Sequence, residues 1–148
     1  MQDLIENKKI HLDYEILEKF EAGIELFGFE VKSLRNRAGS IVGSHITVRG
    51  GEAYLLNSSV PPYQEKNSPK DYDPRRNRRL LLTKKELKTL IGYEQKRGLT
   101  IVPVSVYNKN GKIKVSIAVV KGKKKYDKRE DLKKKQTEKD IRRTLKYE

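Results

Sequence analysis

Apolar and polar positions alternate along most of the chain, and the period switches between that of a strand and that of a helix. Leu12, Tyr14, Ile16 and Phe20 are separated by Asp13, Glu15 and Lys19, the pattern of a half-buried strand with one imperfection at Glu18. Gly23 and Gly28 bracket "IELF" and predict a bend or bulge there. "FEVKSLR" sets Val31 and Leu34 three apart among good helix formers, which predicts a short helix stopped by "RAGS". Ile46 and Val48, then Ala53 and Leu55, flank "RGGE", a glycine-bearing hairpin. Residues 57–79 read as a polar, proline-punctuated loop, a length that usually goes with function or mobility. "RLLL" then returns to the core, and Thr83 with Glu86 makes a capping box. The helix it opens carries Leu87, Leu90 and Ile91, with Lys96 and Arg97 expected in its last turn and Gly98 just past its end.

The clearest element is "TIVPVSVYNKNGKIKVSIAVV", two alternating runs around the hairpin signal "NKNG". On its second strand Ile113, Val115, Ile117 and Val119 face one way, and Lys112, Lys114, Ser116 and Ala118 the other. The pattern adds up to about six short strands and two helices: mainly β, antiparallel and small. A closed or partly open barrel of the oligonucleotide-binding type, with two or three flanking helices, would remove exposed edges at this size. An α+β sandwich with helices on one face is the alternative.

Composition divides the chain in two. The 148 residues allow one domain with one core. Residues 121–148 carry a net charge of +7, half of the total of +14. Leu, Ile, Val and Phe number 36 in residues 1–120 and only 3 in the last 28. The first part can offset its ordering entropy by burial; the tail alone cannot. A charge this positive favours a polyanionic partner through counterion release. An anionic membrane fits less well, since no segment joins basic residues to a sustained apolar stripe. The start, "MQDLIENKK", lacks the pattern of a secretory signal, and a cytoplasmic protein is expected. With no cysteine, disulfide and thiolate chemistry are excluded.

Catalytic constellations are not apparent. His11 and His45 are the only histidines and do not have zinc-ligand spacing, so no metal or cofactor is expected. Asp71 and Asp73 form a close carboxylate pair, but "KDYDP" is also a plain turn sequence. Glu21, between Phe20 and a glycine bend, reads either as a solvated strand-end carboxylate or as an acceptor for base or ribose donors. The basic residues are more informative. "DPRRNRR" holds four arginines, Lys112 and Lys114 project from the hairpin, and Lys121, Lys123, Lys124 and Lys125 continue off its end. With Tyr63, Tyr72, Tyr107 and Tyr126 they could form one RNA-binding surface, cations on phosphates and rings on bases. A merely solubilising surface is the competing reading, and Tyr107, in an alternating strand, fits packing better than stacking.

Three blocks in order carry a resemblance: "FEAGIELFGFEVKSLR" (Phe20–Arg35), "DPRRNRRLLLTKKEL" (Asp73–Leu87) and "VVKGKKKYDKRED" (Val119–Asp131). Together with "GEAYL" and "GLTIVPVSVY" they resemble the signature blocks of the SmpB (SsrA-binding protein) family over most of the chain. The resemblance implies an oligonucleotide-binding-type domain over residues 1–122. It implies a basic tail over 123–148, disordered when free and helical on the ribosome. The implied role is a non-enzymatic adaptor in trans-translation. It would bind the tRNA-like domain of transfer-messenger RNA (tmRNA, or SsrA RNA), deliver it to stalled ribosomes, and place its tail in the empty mRNA channel. Implied partners are tmRNA, the small ribosomal subunit with its 16S rRNA, and elongation factor Tu indirectly through tmRNA. A structural ribosomal protein held in rRNA is the alternative.

By the same resemblance Glu21, Leu81 and Lys114 match the family's RNA-binding positions, and Lys121, Lys123 and Lys124 its basic strap. Tyr126, Asp127, Lys128 and Arg129 match residues that meet the decoding centre. Two positions depart from the pattern: Tyr126 stands where the family usually has His, and Phe29 where it often has Trp. Stacking is therefore the property expected to matter at 126.

Overall fold

The computed structural model describes residues 2–64, residues 69–122 and Leu132. In chain order the elements are β1 (Gln2–Glu6), α1 (Ile10–Asp13), β2 (Tyr14–Ile24), α2 (Gly28–Arg35), β3 (His45–Arg49), β4 (Glu52–Leu56), β5 (Arg78–Leu81), α3 (Lys84–Glu94), β6 (Leu99–Lys109) and β7 (Lys112–Gly122). All strand pairs are antiparallel, in one seven-stranded sheet of order β1-β6-β7-β2-β5-β4-β3. The described residues are thus mainly β, with the three helices α1 to α3 beside the sheet, as expected, but the sheet does not close into a barrel. Its edge strands β1 and β3 do not pair with each other, and β3 instead packs beside β6 with α3 against both. At that open seam Glu94, at the end of α3, accepts hydrogen bonds from the Thr47 hydroxyl (3.0 Å) and the Val48 N–H (2.9 Å). A carboxylate thus satisfies part of an edge that would otherwise be open to another strand.

The long hairpin forms as the alternation predicts. Asn110 (φ 52°) and Gly111 (φ 76°) occupy its tip, the left-handed conformation that a tight two-residue turn requires. Ile113, Val115, Ile117 and Val119 enter the main core with Leu34, Leu55, Leu80 and Leu90. Enclosing a side chain such as Leu90 contributes about 1.5–3 kcal/mol. The other face of β7 is polar only in its first half. Ala118 and Val120 are buried with Ile10, Val102 and Val104 in a second, smaller core beneath α1.

Other differences have local causes. The imperfection at Glu18 is a β-bulge: Ile16 pairs with Val120 and Glu18 with Val119, leaving Leu17 unpaired and half exposed. Leu12 lies in the single turn of α1, so the strand starts at Tyr14. Helix α3 ends at Glu94, before Lys96 and Arg97, so no basic residue occupies its last turn. Gly98 does take a positive φ of 79° after it. Strand β1, which the pattern does not announce, adds a seventh strand along β6 with an irregularity between Asp3 and Ile5.

Candidate nucleic-acid interface

Strand pairing brings three of the singled-out residues onto one outer face. Gly23 of β2 is paired with Lys114 of β7 on one side and with Leu81 of β5 on the other. Paired residues share a face, so Lys114, Gly23 and Leu81 form one row across three strands. Glu21 lies two residues before Gly23 on the same strand, hence on the same face, opposite Ser116. Tyr107 of β6 continues the row beyond Lys114.

Glycine at position 23 is what lets the row pack. A Cβ there would sit 3.1 Å from Leu81 Cβ, tighter than ordinary contact. Leu81 covers the glycine and still exposes 46 % of its surface. An apolar side chain presented to solvent at the end of this row is suited to contact with a ribose or base. Its neighbour Leu80, 1 % exposed, takes the core position.

The Glu21 carboxylate is held from two sides. The Tyr107 hydroxyl donates to it at 2.5 Å, and Lys109 Nζ lies 3.1–3.2 Å from its two oxygens. The Tyr107 hydrogen bond, then the Lys109 hydrogen bond, hold the Glu21 carboxyl below the usual glutamate range, against the opposing effect of burial. Burial, followed by that hydrogen bond, pushes the Tyr107 hydroxyl far up, so it remains a donor. Tyr107 is itself buried; its ring packs and its hydroxyl orients Glu21. Glu21 is therefore an ionised, positioned acceptor with its side chain 38 % exposed.

The remaining singled-out cations separate into groups. Lys121 is exposed at the far end of β7, paired with Glu15 and Leu99. Seven residues of strand place it roughly 23 Å from Lys114. Lys123, Lys124, Tyr126, Asp127, Lys128 and Arg129 lie outside the described residues.

The arginine-rich loop is not the open basic surface that its sequence suggests. Arg78 and Glu30 are both completely buried and paired, with Arg78 NH2 2.7 Å from Glu30 Oε2. Glu30 also accepts from the Phe27 N–H (2.7 Å), the Tyr72 hydroxyl (2.8 Å) and Arg76 Nε (3.2 Å). Arg78 is further satisfied by the Ser58 hydroxyl and the carbonyls of Arg76 and Pro74. Burial alone would raise the Glu30 carboxyl, but donors from Arg76, Phe27, Tyr72 and Arg78 outweigh it and hold the group below the glutamate range. Burial, then the bond to Glu30, pushes the Tyr72 hydroxyl up to about 12. Arg76 also lies over the Phe27 ring, 4.3 Å from its centroid, and Arg79 pairs with Glu52 and Glu25. Three of the four arginines thus anchor the loop to α2 and the sheet; Arg75 is the exposed one. Phe29 fills its apolar site edge-on to Tyr72, centroids 4.7 Å apart. Asp73 Oδ1 accepts from the Arg75 N–H at 2.9 Å, the turn role its sequence suggested. Among the described residues no group of three or more His, Asp or Glu could hold a metal ion, and no helix is long and apolar enough to cross a membrane.

The family model described as SmpB protein matches residues 4–147. The SsrA-binding protein of Thermosipho africanus is 50 % identical over 147 residues, covering 99 % of this chain and 98 % of the relative. That of Nostoc punctiforme is 46 % identical over 143 residues, covering 97 % and 92 %. A solved structure described as "tmRNA-SmpB: a journey to the center of the bacterial ribosome" shares 43 % identity and a TM-score of 0.68, covering 86 % of this chain and 93 % of its own.

Proposed function

The chain belongs to the SmpB family, and we propose on that premise that it binds tmRNA and serves trans-translation on the bacterial ribosome. The observation that carries the reading onto residues is the row Lys114–Gly23–Leu81 with Glu21 beside it. It combines a cation for phosphate, an exposed apolar contact for ribose or base, and an oriented carboxylate for RNA hydroxyl or amino donors. A carboxylate in an RNA site is unfavourable unless it accepts specific hydrogen bonds, so Glu21 contributes selectivity where Lys114 contributes affinity.

In this reading residues 1–122 form the RNA-binding domain and the protein works as an adaptor, without catalysis of its own, in the cytoplasm. It engages the tRNA-like domain of tmRNA, which brings elongation factor Tu into the same assembly. Lys121, at the end of β7, with Lys123 and Lys124 serves as a phosphate-binding strap. Tyr126, Asp127, Lys128 and Arg129 meet 16S rRNA at the decoding centre, and the rest of residues 123–148 enters the mRNA channel. A segment with so little to bury can take its ordering free energy from the ribosome. The test is a gel shift with tmRNA and with an rRNA fragment at matched salt, on the full chain and on a chain ending at Lys125, alongside tagging in a translation extract. Preferential tmRNA binding that survives truncation, with tagging lost, is expected. Equal affinity for the rRNA fragment would instead indicate a structural ribosomal protein.

A further inference from the structure

The Lys114–Gly23–Leu81 row forms one side of a cleft of about 350 Å³ that opens between α2, the tip of the β6–β7 hairpin and the end of β5. Its volume lies in the lower part of the range of ~300–1,000 Å³ usual for small-molecule sites. Ile24, Leu26, Val31 and Ile113 line it with apolar surface. Arg35, Lys112 and Lys114 also line it, and among the described residues no carboxylate does. Arg35 is held in place: its NH2 donates to the Gly111 carbonyl at 3.1 Å, tying α2 to the hairpin tip. Arg35 and Lys112 are exposed and Ile113 is buried, so the site is apolar within and cationic outside.

We infer that this cleft receives one unstacked nucleotide of the bound RNA, its base against Leu26, Val31 and Ile113 and its phosphate against Arg35 and Lys112. The inference rests on the proposed tmRNA binding and adds to it a subsite and two contact residues, Arg35 and Lys112. Charge selects the occupant. An apolar peptide side chain would use the floor but bring no anion to Arg35 and Lys112, whereas a nucleotide supplies a flat apolar face and a phosphate together. A base already in a single-stranded loop enters at little unstacking cost.

The full chain, with labelled Ile, Leu and Val methyls, can be titrated with a transcript of the tmRNA tRNA-like domain and followed by NMR. Shifts at the Leu26, Val31 and Ile113 methyls, with Leu4 and Ile10 unmoved, are expected. Val31→Phe, which fills the cleft, should weaken binding by about tenfold while thermal unfolding stays close to that of the wild type. Arg35→Gln should weaken it less and lower the salt slope by roughly one. If the transcript binds but the cleft methyls do not move and Val31→Phe binds normally, the subsite is wrong and the tmRNA reading stands. If the transcript fails to bind the wild-type chain, the tmRNA reading itself is overturned.

Discussion

At the scale of single residues, the difference between Glu21 and Glu30 separates what this chain uses for recognition from what it uses for folding. Both carboxylates are held below the ordinary range by hydrogen-bond donors, but one faces solvent and the other is sealed. Removing the Tyr107 hydroxyl takes away the main cause of the Glu21 depression. In Tyr107→Phe the Glu21 carboxyl therefore protonates at a higher pH, and tmRNA affinity measured against pH should begin to fall at a higher pH than in the wild type. Lys109 and Lys114 face the same carboxylate, while Asp3 faces Tyr107. For Glu30 the consequence is stability. Its folded-state carboxyl is depressed, so its contribution is fully present above the unfolded-state value and is lost as pH falls through the folded one. Glu30→Gln leaves Arg78 buried without a counter-charge and should cost about 3–5 kcal/mol in urea denaturation. It should also remove that part of the acid sensitivity. The "DPRRNRR" arginines look like RNA contacts in sequence because their partners Glu25, Glu30 and Glu52 are remote along the chain. Burial of a charge by a non-local partner leaves no local mark.

Elements differ in how much of their geometry is written locally. The Asn110-Gly111 turn and the Thr83–Glu86 capping box are legible because neighbouring residues satisfy their requirements. The bulge at Leu17 shows in sequence as one misplaced position in the alternation. Strand β1 and the covered half of β7 are not legible in this way, since each depends on distant partners: β6 for the first, α1 for the second. The joining of β2 to β5 and β7 at Gly23 is the element-scale feature on which the candidate site depends. Gly23→Ala places a methyl 3.1 Å from Leu81 Cβ, so Leu81 must shift by a few tenths of an ångström. Several-fold weaker tmRNA binding is expected, with a change in stability below about 1 kcal/mol, read by titration and thermal unfolding of the same preparation.

For the molecule as a whole, the net charge of +14 guarantees attraction to any RNA and so cannot by itself explain selection of one. Selection has to come from groups placed where charge alone would not put them. Glu21 is the clearest, a carboxylate ionised and oriented on the face that also carries Lys109 and Lys114. The family blocks were legible because they concentrate such residues in short motifs. The meeting of Glu21, Leu81 and Lys114 on one face was not, because it requires pairing among β2, β5 and β7. The measurement that bears most directly on the central claim is the affinity of Glu21→Ala for the tmRNA tRNA-like domain at fixed salt, beside the wild-type chain. Weaker binding despite the gain in net positive charge is the predicted result. Binding that is unchanged or tighter would mean that Glu21 is a solvated carboxylate and that this face does not recognise the RNA.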